Sequence, residues 1–587
     1  MSDPASQLTV AWLHLLIFPA LIGIALLSLR YFAYQNLKNV NEVFVEGYRS
    51  PKLRSTLTTI MFLTVTAFVA VQIVRFPFLV SVATDLIHWT GQRAWLQTGA
   101  AVFFAGLVVF ETLALCHLLY YLYLCRCGAD RERTLPQFET VGVRPDLSGV
   151  AILIPARDEP LDVLDRSFGS IEQLRYPGIR CFLVENSRNP ENKRRALEFA
   201  ASHGVEAFDL ANRGTKAAAL NDARTLLDDA IRYVVVLDAD QRIVDDAMLS
   251  ELLPLLEEDS DVAFVQTAQA YSNCEDSLVT FAAAQQQMLV YDCLMEGKAD
   301  RGSAPCFGTN FVMRLDALDA IGGWDEDNVT EDISTSYRLQ AQGWKSLFIR
   351  KIYAMGVALP SLGSYWTQQR RWASGNTSLA LSLIGRTLTA KRPFSLGLDY
   401  LFSAGFYLQL FVLSGLSLAP AVALILATLY APEMLRHAPE LLAPAWAFSS
   451  FYVLYVIVLF FPHINMAMRG YPIRNSILVH GLTTVTAPVC MSGVREALFR
   501  RAPIEFARSQ RAPSQAAAAP LYRAPQTWIF SLVIVTGSYF TALALSVPTN
   551  PIPWILSFWA FVHGLSLGHF FLFRSSGAPQ SARLQGS

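Results

Sequence analysis

A chain of 587 residues, 53% of them hydrophobic and 16% charged, is too long for one domain and too apolar for an ordinary soluble protein. Its formal net charge of -1 shows no basic excess, which argues against a nucleic-acid partner. The eight Cys lack the paired spacing of a zinc site.

Apolar runs of about twenty residues, the length that crosses a bilayer, occur near 9–30, 56–82, 97–124, 400–430, 443–463, 526–547 and 551–573, and no clear run lies between 128 and 395. This predicts a membrane region of three helices (1–127), a soluble insert (128–395), a second membrane region of about four spans (396–573) and a disordered polar tail (574–587). The first run has no basic n-region or small-residue cleavage site, so it is read as a retained span. Lys and Arg gather at Arg30, Lys38, Arg49, Lys52 and Arg54 and again from Arg126 to Arg133, whereas the loop near His88 and Arg93 is poorer in charge. By the positive-inside rule the insert faces the cytoplasm of a bacterial-type inner membrane and the N-terminus lies outside. Within the spans, Arg75 fits snorkelling, and Glu111 lies in the inner half. Cys125 and Cys127, at a cytoplasmic span end, are an idle reduced pair or a lipidation site.

The insert opens with a strand pattern from Gly149 to Pro160, apolar and then abruptly charged; a second runs from Cys181 to Ser187 and ends in Glu185, Asn186 and Ser187. A third, Tyr233 to Asp240, is a β-branched run ending in Asp238 and Asp240. Helical stretches separate them, so the pattern predicts an α/β domain with a doubly wound, mostly parallel sheet. Such sheets gather their chemistry at the carboxyl ends of the strands. There, Asp238 and Asp240 suit a hard cation such as Mg2+ or Mn2+; a solvated turn after a core strand is the competing reading. Lys216, after Gly214 and at a helix start, is placed to meet phosphate or a carboxylate. The absence of Gly-x-Gly-x-x-Gly and Gly-x4-Gly-Lys-Ser/Thr signatures weakens dinucleotide-binding and ATPase readings.

Farther on, Glu331 and Asp332 open a helix predicted over Ser334 to Gln342, where acids either favour the helix N-terminus or take a proton from a hydroxyl. Gln368 to Trp372 combines amide, guanidinium and indole just before the chain re-enters the membrane. Arg suits a departing diphosphate and Trp a sugar face, though basic and aromatic residues also mark ordinary membrane interfaces.

Together, Asp238-Ala-Asp240, Thr330-Glu-Asp332 and Gln368-Gln-Arg-Arg-Trp372 resemble the signature of membrane-embedded family 2 glycosyltransferases, the group of cellulose, hyaluronan, chitin and curdlan synthases. The resemblance runs from about Gly149 to Trp372 and implies a GT-A fold, a nucleotide-sugar donor such as UDP-glucose, a divalent metal and inverting transfer to a β-linked polysaccharide that is exported. A single transfer to a lipid acceptor is the alternative. It further implies that Asp240 holds the metal with Asp238, that Asp332, beside Glu331, is the general base, and that Glu159, Glu185, Lys216 and Asp238 bind the donor. Gly308, Thr309, Asn310, Gln368, Arg371 and Trp372 bind the acceptor and diphosphate on the same reading. Two departures stand out: Glu185 replaces the family's usual Asp near the base, and Pro155 to Pro160 replaces its usual turn. Glu505 to Arg511 is loosely similar to a gating loop in these synthases, in a region assigned to 500–511.

In the second membrane region, Tyr400, Phe406, Tyr407 and Phe411 fall partly at helical spacing, as packed or lipid-facing aromatics or as a sugar platform. Asn475 to Ser492 contains His480, Thr483, Thr484, Thr486 and Pro488 and is read as a re-entrant or interfacial helix, because spanning would carry the following Arg residues outside. Residues 511–520 read as a linker. A transporter with a nucleotide-binding domain is the reading from another class, and the missing P-loop and missing paired hydrophobic repeats count against it. Accessory export subunits are not legible.

Overall fold

The computed structural model describes residues 4–33, 37–88, 94–129, 149–389 except 175, 394–410, 461–499 except 462, 524–549 except 547, and 551–575. The expected gating segment, linker and tail, Phe411 and most of the runs at 400–430 and 443–463 lie outside these residues. Among the described residues four α-helices precede the insert: α1 (Pro4–Ser28), α2 (Val40–Glu46), α3 (Leu53–His88) and α4 (Ala94–Cys127). Arg75 and Glu111 lie on α3 and α4, and their side chains fall outside the described residues.

The insert alternates strands and helices. Its first half comprises β1 (Gly149–Ala156), α5 (Leu161–Ile171), β2 (Ile179–Glu185), α6 (Pro190–Ser202), β3 (Glu206–Asp209), α7 (Lys216–Thr225) and β4 (Ile231–Val236). Next come β5 (Arg242–Ile243), α8 (Met248–Glu258), β6 (Val262–Tyr271), α9 (Leu278–Leu289), a π-helical turn (Val290–Met295) and α10 (Glu296–Asp300). It closes with β7 (Phe311–Arg314), α11 (Leu315–Ala320), α12 (Glu331–Ala341), β8 (Lys345–Gly356) and α13 (Leu362–Thr389). The strands form one sheet in the order β3-β2-β1-β4-β7-β6-β8-β5.

Alternation along the central strands explains the two-sided core. Val150, Ile152 and Ile154 of β1 pack into one cluster with Phe168 of α5 and Leu252 of α8, whereas Ala151 and Leu153 enter the opposite cluster with Leu220 of α7 and Leu339 of α12. Residues 150–154 are wholly buried, and each large apolar side chain sealed this way contributes about 1.5–3 kcal/mol. A strand buried on both faces must be apolar throughout, which is why β1, β2 and β4 read as continuous hydrophobic runs.

β1, β2, β3 and β4 run parallel, as do β6 and β8, but β7 runs antiparallel to both β4 and β6. This reversal matters for the site. Phe311, the first residue of β7, pairs with Val236, the last of β4, so the loop Phe307–Asn310 arrives beside the residues that follow β4.

The second membrane region contains α14 (Phe394–Ala404), α15 (Ile473–Phe499), α16 (Pro525–Ser546) and α17 (Pro551–Ser575). Five stretches among the described residues are long and apolar enough to cross a membrane: His14–Tyr31, Leu53–Ala70, Ile473–Phe499, Pro525–Ser546 and Pro553–Arg574. The chain is thus a multi-pass membrane protein. The segment expected to be re-entrant or interfacial forms one continuous helix, α15. Tyr400 is packed, its ring edge-on to Tyr337 of α12 at 5.2 Å, and buried Asp399 beside it accepts from Tyr120 Oη of α4 at 2.7 Å and pairs with Lys298.

The insert meets the membrane helices through close backbone contact. A side chain added at Gly297 of α10 would lie 2.1 Å from the Leu124 carbonyl oxygen of α4. Because backbone cannot swing aside, Gly297→Ala is expected to destabilise the folded protein by roughly 1–3 kcal/mol. Thermal unfolding of the detergent-held protein checks this, and an unchanged Tm would mean that α4 and α10 do not touch here.

Candidate active site

The cleft forms where β4 stops. Beyond Val236 the Leu237 N–H still bonds to Leu153 O at 3.1 Å, but the Asp238 N–H turns to Thr309 Oγ1 at 3.0 Å, so Asp238 leaves the sheet at its carboxyl edge. Lys216 opens α7, capped by Thr215, whose side chain accepts from the Ala218 N–H. Its ammonium bonds to Asp238 Oδ1 and, at 2.7 Å, to Gly308 O. Three separate parts of the chain thus converge on one cation.

Gly308 has φ +76, and a Cβ there would lie 3.2 Å from Asp332 Oδ2 and 3.7 Å from Lys216 Nζ. Asp332 sits in the first turn of α12, where its Oδ1 accepts the Ile333 N–H at 2.8 Å. Burial, followed by the neighbouring Glu331 charge, raises its pKa to about 7. Glu331 is also raised, chiefly by burial, against the pull of Lys216 and Arg371. Burial works against the Lys216 ammonium, yet Asp238, Glu331 and Asp332 outweigh it and hold its pKa above the usual lysine value. Arg371 shares the same field: burial lowers its pKa, and Glu331, Asp238 and Asp332 offset this only in part.

Asp240 lies two residues beyond Asp238, and its Oδ2 accepts the Val357 N–H at 3.3 Å. On the other side of β1, Glu185 is 1% exposed; its Oε1 accepts the Ser187 N–H at 2.6 Å, while its buried Oε2 has no hydrogen-bond partner. Asp158, at φ 53, accepts from the Asn189 N–H and Asn192 Nδ2, framing the loop that also carries Glu159. Asn186 Nδ2 donates to Thr215 O at 3.3 Å, tying this side to the start of α7.

The expected residues therefore divide by position. Asp238, Lys216, Gly308, Glu331, Asp332 and Arg371 meet in one cleft. Thr309 and Asn310 are buried and hold the loop: Asn310 Nδ2 donates to Gln241 Oε1 and Ala354 O. Gln368 is partly exposed, and Trp372 packs against the cluster of Ala373, Tyr407, Cys490 and Val494.

Sequence reading missed a set of glutamines. Gln266 Oε1 accepts the Phe307 N–H at 2.8 Å, and its amide donates to Thr309 O and Asn310 O; Gln269 donates to Phe307 O, and Gln287 donates to Gln269. Gln286 Oε1 accepts from Tyr365 Oη at 2.5 Å, and Trp366 Nε1 donates to Thr486 Oγ1 at 3.2 Å. The available signal was three consecutive glutamines in an otherwise apolar helix, since buried amides must find partners. Gly375 was also missed: a Cβ there would lie 2.8 Å from Thr330 Cγ2, so α13 rests directly on the start of α12.

Residues 233–462 match the profile of the glycosyl transferase family group 2. The chain is 26% identical to a cellulose synthase catalytic subunit (UDP-forming) of Komagataeibacter sucrofermentans over 48% of this chain and 37% of that protein. It is likewise 26% identical to a beta-monoglucosyldiacylglycerol synthase of Nostoc over 40% of this chain and 50% of that protein. The chain thus spans about a third to a half of the length of these relatives. Among solved structures, the mannosyltransferase PcManGT from Pyrobaculum calidifontis, in complex with GDP-Man and Mn2+, superimposes with a TM-score of 0.47 at 14% identity, covering 68% of this chain and 99% of that one.

If Asp332 takes a proton in the reaction, kcat/KM rises with pH through about 7, as the carboxylate forms, and then levels. Glu331→Gln removes a charge that raises this pKa, so the acid limb moves to lower pH. A pH profile of the two proteins checks this; an unmoved limb would separate it from Asp332.

Proposed function

We propose that this chain, a membrane-type family 2 glycosyltransferase of the cellulose-synthase-like kind, transfers a sugar from a nucleotide-sugar donor to a hydroxyl of a growing β-linked polysaccharide, which then leaves across the membrane. The observation that carries this reading is the raised-pKa Asp332 in one cleft with Lys216, Arg371 and Asp238. A base for the incoming hydroxyl lies beside cations for the departing diphosphate.

The residues fit a divalent cation. Asp238 and Asp240 are hard oxygen donors, and no cluster of three or more His, Cys, Asp or Glu among the described residues would hold an ion unaided. A metal here would take the rest of its oxygens from the donor diphosphate and water, as suits Mg2+ or Mn2+, and would supply positive charge to the leaving group. Lys216 and Arg371 add fixed cationic donors, Arg in a planar fork that matches phosphate. Glu185, with one buried oxygen lacking a partner, accepts a ring N–H of the donor base. Asp332 removes the acceptor hydroxyl proton as that oxygen bonds to the anomeric carbon. The bond from that carbon to the diphosphate oxygen breaks, configuration inverts, and the nucleoside diphosphate departs.

Support for a polymeric product comes from hydrogen-bonding groups that continue from the cleft between α9, α13 and α15: Gln286 with Tyr365 and Thr483, then Trp366 with Thr486. Such groups would meet the hydroxyls of a glycan as it passes from the site toward the membrane helices. The contacts of α15 favour an interfacial course. Near one end Asn475 donates to Gln285 of α9, and near the other Gly493 abuts the Arg370 carbonyl and Glu496 pairs with Arg370. A helix touching the insert along its length has little left to cross a bilayer about 30 Å thick.

The test is nucleoside diphosphate release by the purified protein, in detergent or nanodiscs, across a panel of nucleotide sugars with Mg2+ or Mn2+, followed by sizing of the product. A long, glycosidase-sensitive chain is expected; a single-sugar lipid would replace the polymer with a lipid acceptor. Asp240→Ala is expected to abolish metal-dependent donor binding, and donor affinity unchanged with and without Mn2+ would remove Asp240 from the metal site. Asp332→Asn should retain donor binding and lose transfer by roughly 10²-fold or more.

A further inference from the structure

The ammonium of Lys216 sits directly on a carboxylate of the proposed metal site. It bonds to Asp238 Oδ1 and, at 2.7 Å, to Gly308 O. The lysine side chain is 15% exposed and that of Asp238 37%, so the carboxylate is open to solutes while the ammonium on it is largely shielded from water. Lys216 rises from a fixed base. It opens α7, whose Ala217, Ala218, Ala219 and Leu220 are buried, and the residues before it are tied down: Gly214 O accepts from Arg157 Nη1 at 3.0 Å and Thr215 O from Asn186 Nδ2 at 3.3 Å. Asp238 is held independently, because its N–H donates to Thr309 Oγ1 at 3.0 Å and its carbonyl accepts the Gln241 N–H at 2.8 Å. The main chain at Asp238 therefore does not depend on the lysine for its place.

Two cations on one carboxylate repel each other, and more strongly in a half-buried cleft than in water. A divalent ion approaching Asp238 meets a unit positive charge already bonded to the same group. A diphosphate changes this balance in two ways: it brings negative charge beside the ion, and it offers the ammonium other acceptors. Lysine carries three donors on a flexible stem. Its ammonium can keep the bond to Gly308 O and turn the bond to Asp238 toward a phosphate oxygen.

Building on the functional reading above, we infer that Lys216 couples metal uptake to nucleotide uptake: bonded to Asp238 it opposes a divalent cation there, and it yields Asp238 only when a nucleoside diphosphate gives the ammonium another partner. Metal and donor then enter the cleft together. When the diphosphate departs, the ammonium returns to Asp238, so the cation leaves with the nucleotide and not after it. Lys216 thus has a role besides contact with phosphate, as the internal competitor that keeps the affinity for a bare ion low.

The experiment titrates the full chain, purified in detergent, with Mn2+ and follows free Mn2+ by electron paramagnetic resonance, first without nucleotide and then with UDP and, in parallel, GDP. Without nucleotide, Lys216→Gln is expected to bind Mn2+ roughly tenfold or more tightly than wild type, because the competing charge is gone. Lys216→Arg, which keeps the charge, should stay near wild type. The gain in Mn2+ affinity on adding nucleotide should be smaller in Lys216→Gln than in wild type. A lysine that merely braces the Gly308 loop would give the opposite sign, with Mn2+ binding weakened in the neutral variant. Mn2+ affinity in Lys216→Gln equal to or weaker than wild type, in protein that still takes up Mn2+ with a nucleotide, would refute the coupling alone. Wild type that takes up no Mn2+ with either nucleotide would overturn the metal-dependent reading and the coupling with it. If Lys216→Gln does not fold, Lys216→Met decides by the same titration.

Discussion

The cleft is governed by an excess of carboxylates over cations. Asp238, Glu331 and Asp332 are gathered at one sheet edge with Lys216 and Arg371 as their positive neighbours. Burial raises the pKa of Glu331 and Asp332, and the Glu331 charge adds to the rise at Asp332. Lys216 limits it by bridging Asp238 and the Gly308 carbonyl. Every element that delivers one of these groups must therefore have one terminus at the same place: the end of β4 for Asp238, the start of α7 for Lys216 and the start of α12 for Glu331 and Asp332. The antiparallel entry of β7 brings in the loop that closes the set.

A second consequence is that the soluble and membrane parts form one mechanical unit. α12 carries Glu331 and Asp332, α13 leans on it through Gly375, and α13 is in turn held by α15 through Gly493 and the Arg370–Glu496 pair. On the opposite side, Asp292 and Glu296 engage arginines from the first membrane region, the insert and the stretch before α15. Such buried networks contribute less to stability than to a unique arrangement of the parts they join.

The local chemistry was legible in the sequence wherever a charge ends an apolar run. Asp238 and Asp240 follow four β-branched or apolar residues, and Glu331 and Asp332 open a helix; the structure has them at a strand end and in a first helical turn. The strands β1, β2 and β4 were legible because burial on both faces demands unbroken hydrophobicity. The reversed β7 was not, since strand direction depends on where the chain returns from and not on residue type. Gln266 and Gln269 were hidden for a similar reason: their partners are backbone atoms of a loop some forty residues away. Arg469 and Asp292, 177 positions apart, have no local signature at all. The side chains of Arg75 and Glu111 and the segment 500–511 fall outside the described residues, so those expectations stand where the sequence left them.

Gly375 carries a further meaning. A Cβ at this position of α13 would lie 2.8 Å from Thr330 Cγ2 and 3.1 Å from the Thr330 backbone nitrogen, so the helix meets Thr330, side chain and backbone, with no side chain of its own between them. A joint this close has little slack, because any larger residue at 375 would collide with Thr330. A tilt of α13 would therefore be felt at the residue just before Glu331 and Asp332. The proposed base would then register the position of the helix that follows it, and chemistry at the site and movement of α13 would share a lever.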